Sequence, residues 1–224
     1  MADVDLPEPL EPAARVLFAQ RLPLARRYAE LLATDGVVRG LIGPREAPRL
    51  WDRHLLNSAA VAEIIPDGSS VTDVGSGAGL PGIPLALARP DLRVVLVDSL
   101  ARRTTFLTEV VAALDLGDRV SVVRGRAEEL AGRVPAADVV TARAVAPLDR
   151  LTAWCLPLAR LGGRLLALKG DTAAEEVAAH RAAVARRGGG TPVIRVCGAG
   201  LLDAPTTVVE IAYVRVPAAS RRTR

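Results

Sequence analysis

"DVGSGAGLPG", residues 73–82, sets four glycines behind an acid, and its reading decides which α/β fold the chain adopts. Counted from Gly75 it is Gly-x-Gly-x-Gly following Asp73, the form of a methyl-donor loop. Counted from Gly77 it is Gly-x-Gly-x-x-Gly, the dinucleotide fingerprint, in which backbone N–H groups at a helix start cradle a pyrophosphate. The neighbours of the glycines separate the two. Pro81 and Pro84 have no N–H to offer at the turn, and Asp73 brings negative charge where a pyrophosphate would sit. A sulfonium and an ammonium tolerate carboxylates, while bare glycines let backbone approach closely. The Gly75 register therefore predicts S-adenosyl-L-methionine as the cofactor, with Gly75, Gly77 and Gly79 lining its site.

Outward from this loop, short apolar runs alternate with helical stretches. "SSVTDV" (69–74), "RVVLVDS" (93–99), "RVSVVRG" (119–125), "ADVVTAR" (137–143) and "GRLLALKG" (163–170) read as strands buried on both faces. Helical segments are expected near 84–89, 100–115, 127–132, 147–160 and 171–187. This alternation predicts a parallel, doubly wound sheet. The end differs: "TPVIRVCG" (191–198) and "TTVVEIAYVRVP" (206–217) are joined without a helix, so they must pair antiparallel. The fold class is thus α/β, a class I methyltransferase (Rossmann-like) sheet of seven strands, mainly parallel and ending in an antiparallel hairpin.

Residues 1–66 read as an N-terminal tail and helical cap, 67–217 as the methyltransferase domain, and 218–224 as a basic tail. Within the cap, 1–11 is Pro-rich and acidic and reads as disordered. Apolar spacing from Pro12 gives two short helices or one kinked at Pro23, and a third follows Pro48, ended by Pro66-Asp67-Gly68.

Composition limits the remaining possibilities. A chain of 224 residues, 50% hydrophobic, supports one α/β domain with an appendage. No apolar run approaches the ~18 residues of a membrane span, and the acidic start is unlike a signal peptide, so a cytoplasmic protein without membrane contact is expected. Cys155 and Cys197 stand alone and read as buried thiols, with no metal site. The net charge of +4 has its four N-terminal acids set against an otherwise basic chain, which suits a polyanionic partner. Arginine count is a weak guide, because 28 of the 29 cations are Arg; Lys169 is the exception.

In an open α/β sheet the ligand lies beyond the carboxyl ends of the strands. Asp98 ends the second strand, where a carboxylate accepts from both ribose hydroxyls; nicotinamide and methyl-donor sites share that role. Glu128 follows the third strand, near the place of an adenine amino group. Trp51 reads as a core residue, and His180 as an exposed helix residue.

"DVGSGAGLPGIPLA", "VDSLARRTTFL", "GRAEEL", "TARAVAPL" and "LLALKG", in that order over residues 48–170, resemble the bacterial 16S rRNA guanine-N7 methyltransferase family RsmG, also called GidB. The Leu-Pro-Gly-Ile-Pro continuation and the Arg-Ala motif are more specific than the glycines. The resemblance implies methyl transfer from S-adenosyl-L-methionine to N7 of guanosine 527 in the decoding-region loop of 16S rRNA, by a monomer, with low-level streptomycin resistance on loss. It also implies cofactor contacts from Gly75, Leu80, Ala127, Glu128 and Arg143. Two departures stand out: Asn57-Ser58 where Asp-Ser is common, and Ala78 where Pro is common.

Guanine N7 carries a lone pair and no proton, so alignment and desolvation suffice without a base. Arg143 is the expected catalytic residue, straddling cofactor and guanine beside the nucleophile and donating to O6 or a phosphate. Arg49, Arg53 and His54 on the third helix, and Lys169 at the fifth strand end, are candidate RNA contacts. Two other readings stay open: a nicotinamide oxidoreductase, which needs a Tyr or His proton relay although Tyr28 and Tyr213 fall outside the expected loops, and a cofactor-binding module without catalysis.

Overall fold

The β-branched runs assemble into one seven-stranded sheet in the order β3-β2-β1-β4-β5-β7-β6. The strands are β1 (Ser70–Val74), β2 (Arg93–Asp98), β3 (Val120–Arg124), β4 (Ala137–Arg143), β5 (Ala159–Lys169), β6 (Val193–Cys197) and β7 (Thr206–Ala212). The first five pair in parallel; β7 runs antiparallel to both β5 and β6, as the helix-free connection requires. The computed structural model describes residues 5–143 and 146–216. The basic tail at 218–224, residues 1–4 of the N-terminal tail, and Ala144-Val145 of the "TARAVAPL" motif lie outside the described residues.

Helices cover both sheet faces. α1 (Glu11–Phe18), α2 (Leu22–Leu31), α3 (Asn57–Ala60), α4 (Gly82–Ala88) and α5 (Ala101–Ala113) lie on one side. α6 (Ala127–Leu130), α7 (Leu148–Cys155) and α8 (Ala173–Arg186) lie on the other. The two hydrophobic clusters follow this division: Phe18, Tyr28, Leu55, Ile83, Phe106 and Val71 belong to the first, and Val74, Val140, Leu151 and Val184 to the second. The cap helices thus share one core with α4 and α5. Pro23 sits in the first turn of α2, where its missing N–H costs nothing, so there are two helices instead of one kinked helix. The third helix is irregular: a π-helical segment, Leu50–Leu56, leads into α3 and then a 3₁₀ turn, Val61–Ile64.

Three expectations are corrected. Residues 5–11 are ordered, not a loose tail: Leu6 is buried, a 3₁₀ turn spans Glu8–Leu10 and α1 starts at Glu11. Burying a Leu side chain contributes about 1.5–3 kcal/mol, enough to anchor a short segment whose prolines already restrict it. β3 is not buried on both faces, since Ser121 and Arg124 are exposed at the sheet edge. β5 begins at Ala159 instead of 163, because Gly163 lets its backbone close on β4: a Cβ there would lie 2.8 Å from the Asp138 carbonyl, beside the register shift between Ala137 and Val139.

Candidate active site

Val74 ends β1, and the chain turns through the glycine loop into α4. Gly75 and Ser76 both donate to the Val97 carbonyl of β2 (2.8 and 3.0 Å), and Gly79 and Leu80 to the Ser76 carbonyl (2.7 and 3.0 Å). Gly82 N donates to Asp73 Oδ2 at 3.1 Å, and Gly77 N to Asp98 Oδ2 at 3.0 Å. These N–H groups are spent within the protein instead of converging on an anion, which a phosphate-binding turn needs. The geometry agrees with the Gly75 register.

Gly79 has φ of +107°, and a Cβ there would lie 2.7 Å from Ile83 Cγ1 and 2.8 Å from the Tyr28 hydroxyl. That hydroxyl donates to the Ala78 carbonyl at 2.9 Å. Burial holds the Tyr28 pKa well above its usual value, so the phenol stays a donor. Tyr28 is therefore not remote from the active-site loops; it braces the glycine loop from beneath, outside the cleft. Leu80 is buried in the same turn.

A cleft of about 240 Å³ opens at the carboxyl ends of β1–β3, lined among others by Gly75, Asp98, Arg103, Ala127, Glu128 and Trp154. Four of the expected cofactor contacts, Gly75, Asp98, Ala127 and Glu128, come together here. The Asp98 carboxylate is nearly buried and also accepts from Leu100 N (3.0 Å) and Arg103 Nη1 (3.2 Å). Glu128 is exposed at the start of α6.

Asp73, by contrast, faces away from the cleft. It is fully buried, and its Oδ1 accepts from Thr141 Oγ1 at 2.9 Å, its register partner across the β1–β4 pair. Burial pushes its pKa up from 3.8 to about 6, against the hydrogen bonds from Thr141 and Gly82 and the charge of Arg143. Of the three acids that the sequence sets near the glycine loop and the following strand ends, Asp98 and Glu128 share the cleft, whereas Asp73 fastens the loop to the sheet.

Arg143 ends β4 and reaches toward the cap rather than into this cleft. Its Nη2 meets His54 Nδ1 at 2.9 Å, and its Nη1 approaches the Arg53 carbonyl at 3.5 Å. His54 Nε2 in turn meets Glu46 Oε2 at 2.9 Å, so both ring nitrogens are engaged. Arg49 and Arg53 are half-exposed beside Asp52 and Glu46, each at 3.6 Å. Lys169 is 13% exposed, its Nζ donating to Glu176 Oε1 (2.8 Å) and the Ala146 carbonyl (2.9 Å). Glu176 also accepts from Leu148 N at 2.7 Å, so this clamp ties β5 and α8 to Ala146 and to the start of α7 at Leu148. Trp51 is buried, as expected, and so are both cysteines, as free thiols. His180 is partly buried instead of exposed. No helix among the described residues is long and apolar enough to cross a membrane.

Residues 21–201 match the family described as rRNA small subunit methyltransferase G. The chain belongs to this family. A relative named ribosomal RNA small subunit methyltransferase G in Salinispora tropica is 68% identical, over 96% of this chain and 91% of its own length. One of the same name in Streptomyces coelicolor is 56% identical, over 95% and 89%. Solved structures share the fold at lower identity. A ribosomal protein L11 methylase from Lactobacillus delbrueckii subsp. bulgaricus has a TM-score of 0.52 at 15% identity, covering 71% of this chain and 78% of that one. An O-methyltransferase from neocarzinostatin biosynthesis, in complex with S-adenosylmethionine, has a TM-score of 0.57 at 19% identity, covering 80% and 57%.

At position 57, where Asn stands in place of the common Asp, it is the main-chain carbonyl that accepts from Thr206 Oγ1 at 2.8 Å, joining α3 to β7. Sequence reasoning missed Arg103 and Trp154 as cleft residues. Arg103 was within reach, five positions past Asp98 in the first turn of α5. Trp154 sits on α7, far along the chain, and only the packing of α7 against the sheet brings it to the cleft.

Proposed function

We propose that this chain transfers the methyl group of S-adenosyl-L-methionine to N7 of guanosine 527 in the decoding-region loop of 16S rRNA, acting in the cytoplasm as a monomer. The observation that carries the reading is the pairing of the inward-bonded glycine loop with the nearly buried Asp98 carboxylate at the end of β2, while Arg143 ends β4 on the other side of β1. The family match supports the RNA substrate class.

Bound S-adenosyl-L-methionine would supply an electrophilic methyl on a sulfonium. Asp98 would take the ribose hydroxyls; it has three partners now, and its longest contact, that from Arg103 at 3.2 Å, is the one a hydroxyl replaces. Gly75, Gly77, Gly79 and Leu80 would shape the loop side of the site, with Ala127, Glu128 and Trp154 opposite. Arg143 would orient guanine through O6 or a flanking phosphate, leaving N7 free to attack. Arg49 and Arg53, exposed on the cap, would meet the RNA backbone. Lys169 would act through the segment it clamps.

Transfer of tritiated methyl to 16S rRNA, naked and in 30S particles from a strain lacking the enzyme, followed by mapping of the N7 mark, tests the reading. Label at that guanosine is expected, with loss on Arg143→Ala. No label in either substrate, or label at another atom, refutes it. A deletion strain with unchanged streptomycin response refutes the physiological part.

A further inference from the structure

Arg143 owes its place to the cap. A guanidinium has donors only and stays protonated, so the 2.9 Å contact from its Nη2 requires His54 Nδ1 to present a lone pair. The ring proton then lies on Nε2, which donates to Glu46 Oε2. Glu46, His54 and Arg143 form one directed chain, carboxylate to imidazole to guanidinium, running from the loop before the third helix to the tip of β4.

We propose that His54 is a positioning residue for Arg143: a neutral imidazole, oriented by Glu46, fixes the guanidinium at the cap side of the site. The inference rests on the methyl-transfer reading above and assigns His54 to this contact instead of to RNA. A protonated His54 would turn an N–H toward Arg143, replacing a hydrogen bond by two like charges in contact. The groups facing the ring are Arg143 from β4, Glu46 from the preceding loop and Arg53 from its own helix; Tyr28 and Asp73 interact electrostatically with Arg143. Burial first, then Arg143, lowers the His54 pKa below 6.5, while Glu46 raises it in opposition. Neutral pH therefore leaves the chain intact, and acid breaks it.

The test has two arms. In solution without cofactor, the imidazole signals are simple because the chain has two histidines; His180→Gln assigns them. Nitrogen-15 shifts should report an Nε2–H tautomer for His54, with Arg143→Met raising its titration midpoint. In the methylation assay, His54→Ala should lower kcat about 10- to 100-fold, the loss expected for one hydrogen bond to a charged group, with the cofactor Kd unchanged. His54→Asn, whose carbonyl oxygen replaces Nδ1, should restore kcat to within about threefold and abolish the acid limb of the pH–rate profile. Glu46→Gln should shift that limb to lower pH. An Nδ1–H tautomer overturns the proposal. So does a folded His54→Ala enzyme with wild-type kcat and pH profile. Absence of methylation by the wild-type chain instead overturns the reading beneath it, and the inference with it.

Discussion

Asp73→Asn should stabilise the protein increasingly as pH rises. The folded chain holds the Asp73 proton up to about pH 6, whereas in the unfolded chain it leaves near 3.8. Between those values the folded state binds more protons, so stability falls as pH rises through the window. The full shift corresponds to about 3 kcal/mol, and roughly 2 kcal/mol of it develops between pH 4 and 7.5. Asparagine never ionises. Its carbonyl oxygen accepts from Gly82 N, and its amide replaces Oδ1 opposite the Thr141 hydroxyl, which turns to accept. Whatever fixed cost that exchange carries cancels when the two proteins are compared at two pH values. Urea unfolding of both, followed by circular dichroism at pH 4 and 7.5, should show the difference in unfolding free energy moving in favour of Asp73→Asn by roughly 2 kcal/mol. A difference independent of pH would mean that Asp73 titrates as an ordinary carboxyl, and that its burial does not strain the loop.

Gly82→Ala drives a Cβ against Leu96 Cδ2 and to 2.9 Å from Asp73 Oδ2, and should lower the unfolding free energy by about 1–3 kcal/mol; Gly117→Ala, which meets nothing within 4 Å, is the control and should stay within about 0.5 kcal/mol. Tyr28→Phe orphans the buried Ala78 carbonyl and should cost about 1–3 kcal/mol, with hydrogen exchange at Gly79 accelerating more than exchange in β5. Glu176→Ala takes the acceptor from Leu148 N and the counter-charge from Lys169, which keeps its bond to the Ala146 carbonyl, and should cost about 2 kcal/mol; adding Lys169→Met should recover part of it, measured by the same urea titration.

Most of the sheet was legible in the sequence, because buried parallel strands write themselves as unbroken β-branched runs, and the missing helix before residue 206 forced the final hairpin. The candidate cleft was legible where residues sit at a strand end, as Asp98 does, or just past one, as Glu128 does at the start of α6. Asp73 was misplaced for a reason of parity. Sequence gives the alternation of a strand but not which layer each face meets, and residues 71 and 73 turn toward the α4–α5 layer. Tyr28 and Glu46 escaped notice because their contacts, to Ala78 and to His54, depend on how irregular helices pack. Leu6 was hidden by its acidic, proline-rich surroundings, whose composition argues against order while a single apolar side chain supplies it.

The lysine clamp also makes the protein unusual as a chemical target. Lys169 holds the only ε-amine in the sequence, and its ion pair with Glu176 and bond to the Ala146 carbonyl keep that amine engaged. Acylating reagents that label most proteins at many points have one side chain to find here, and it reacts only when the clamp lets go. The rate of that acylation therefore reports, without any introduced probe, how often Lys169 parts from Glu176 and the Ala146 carbonyl.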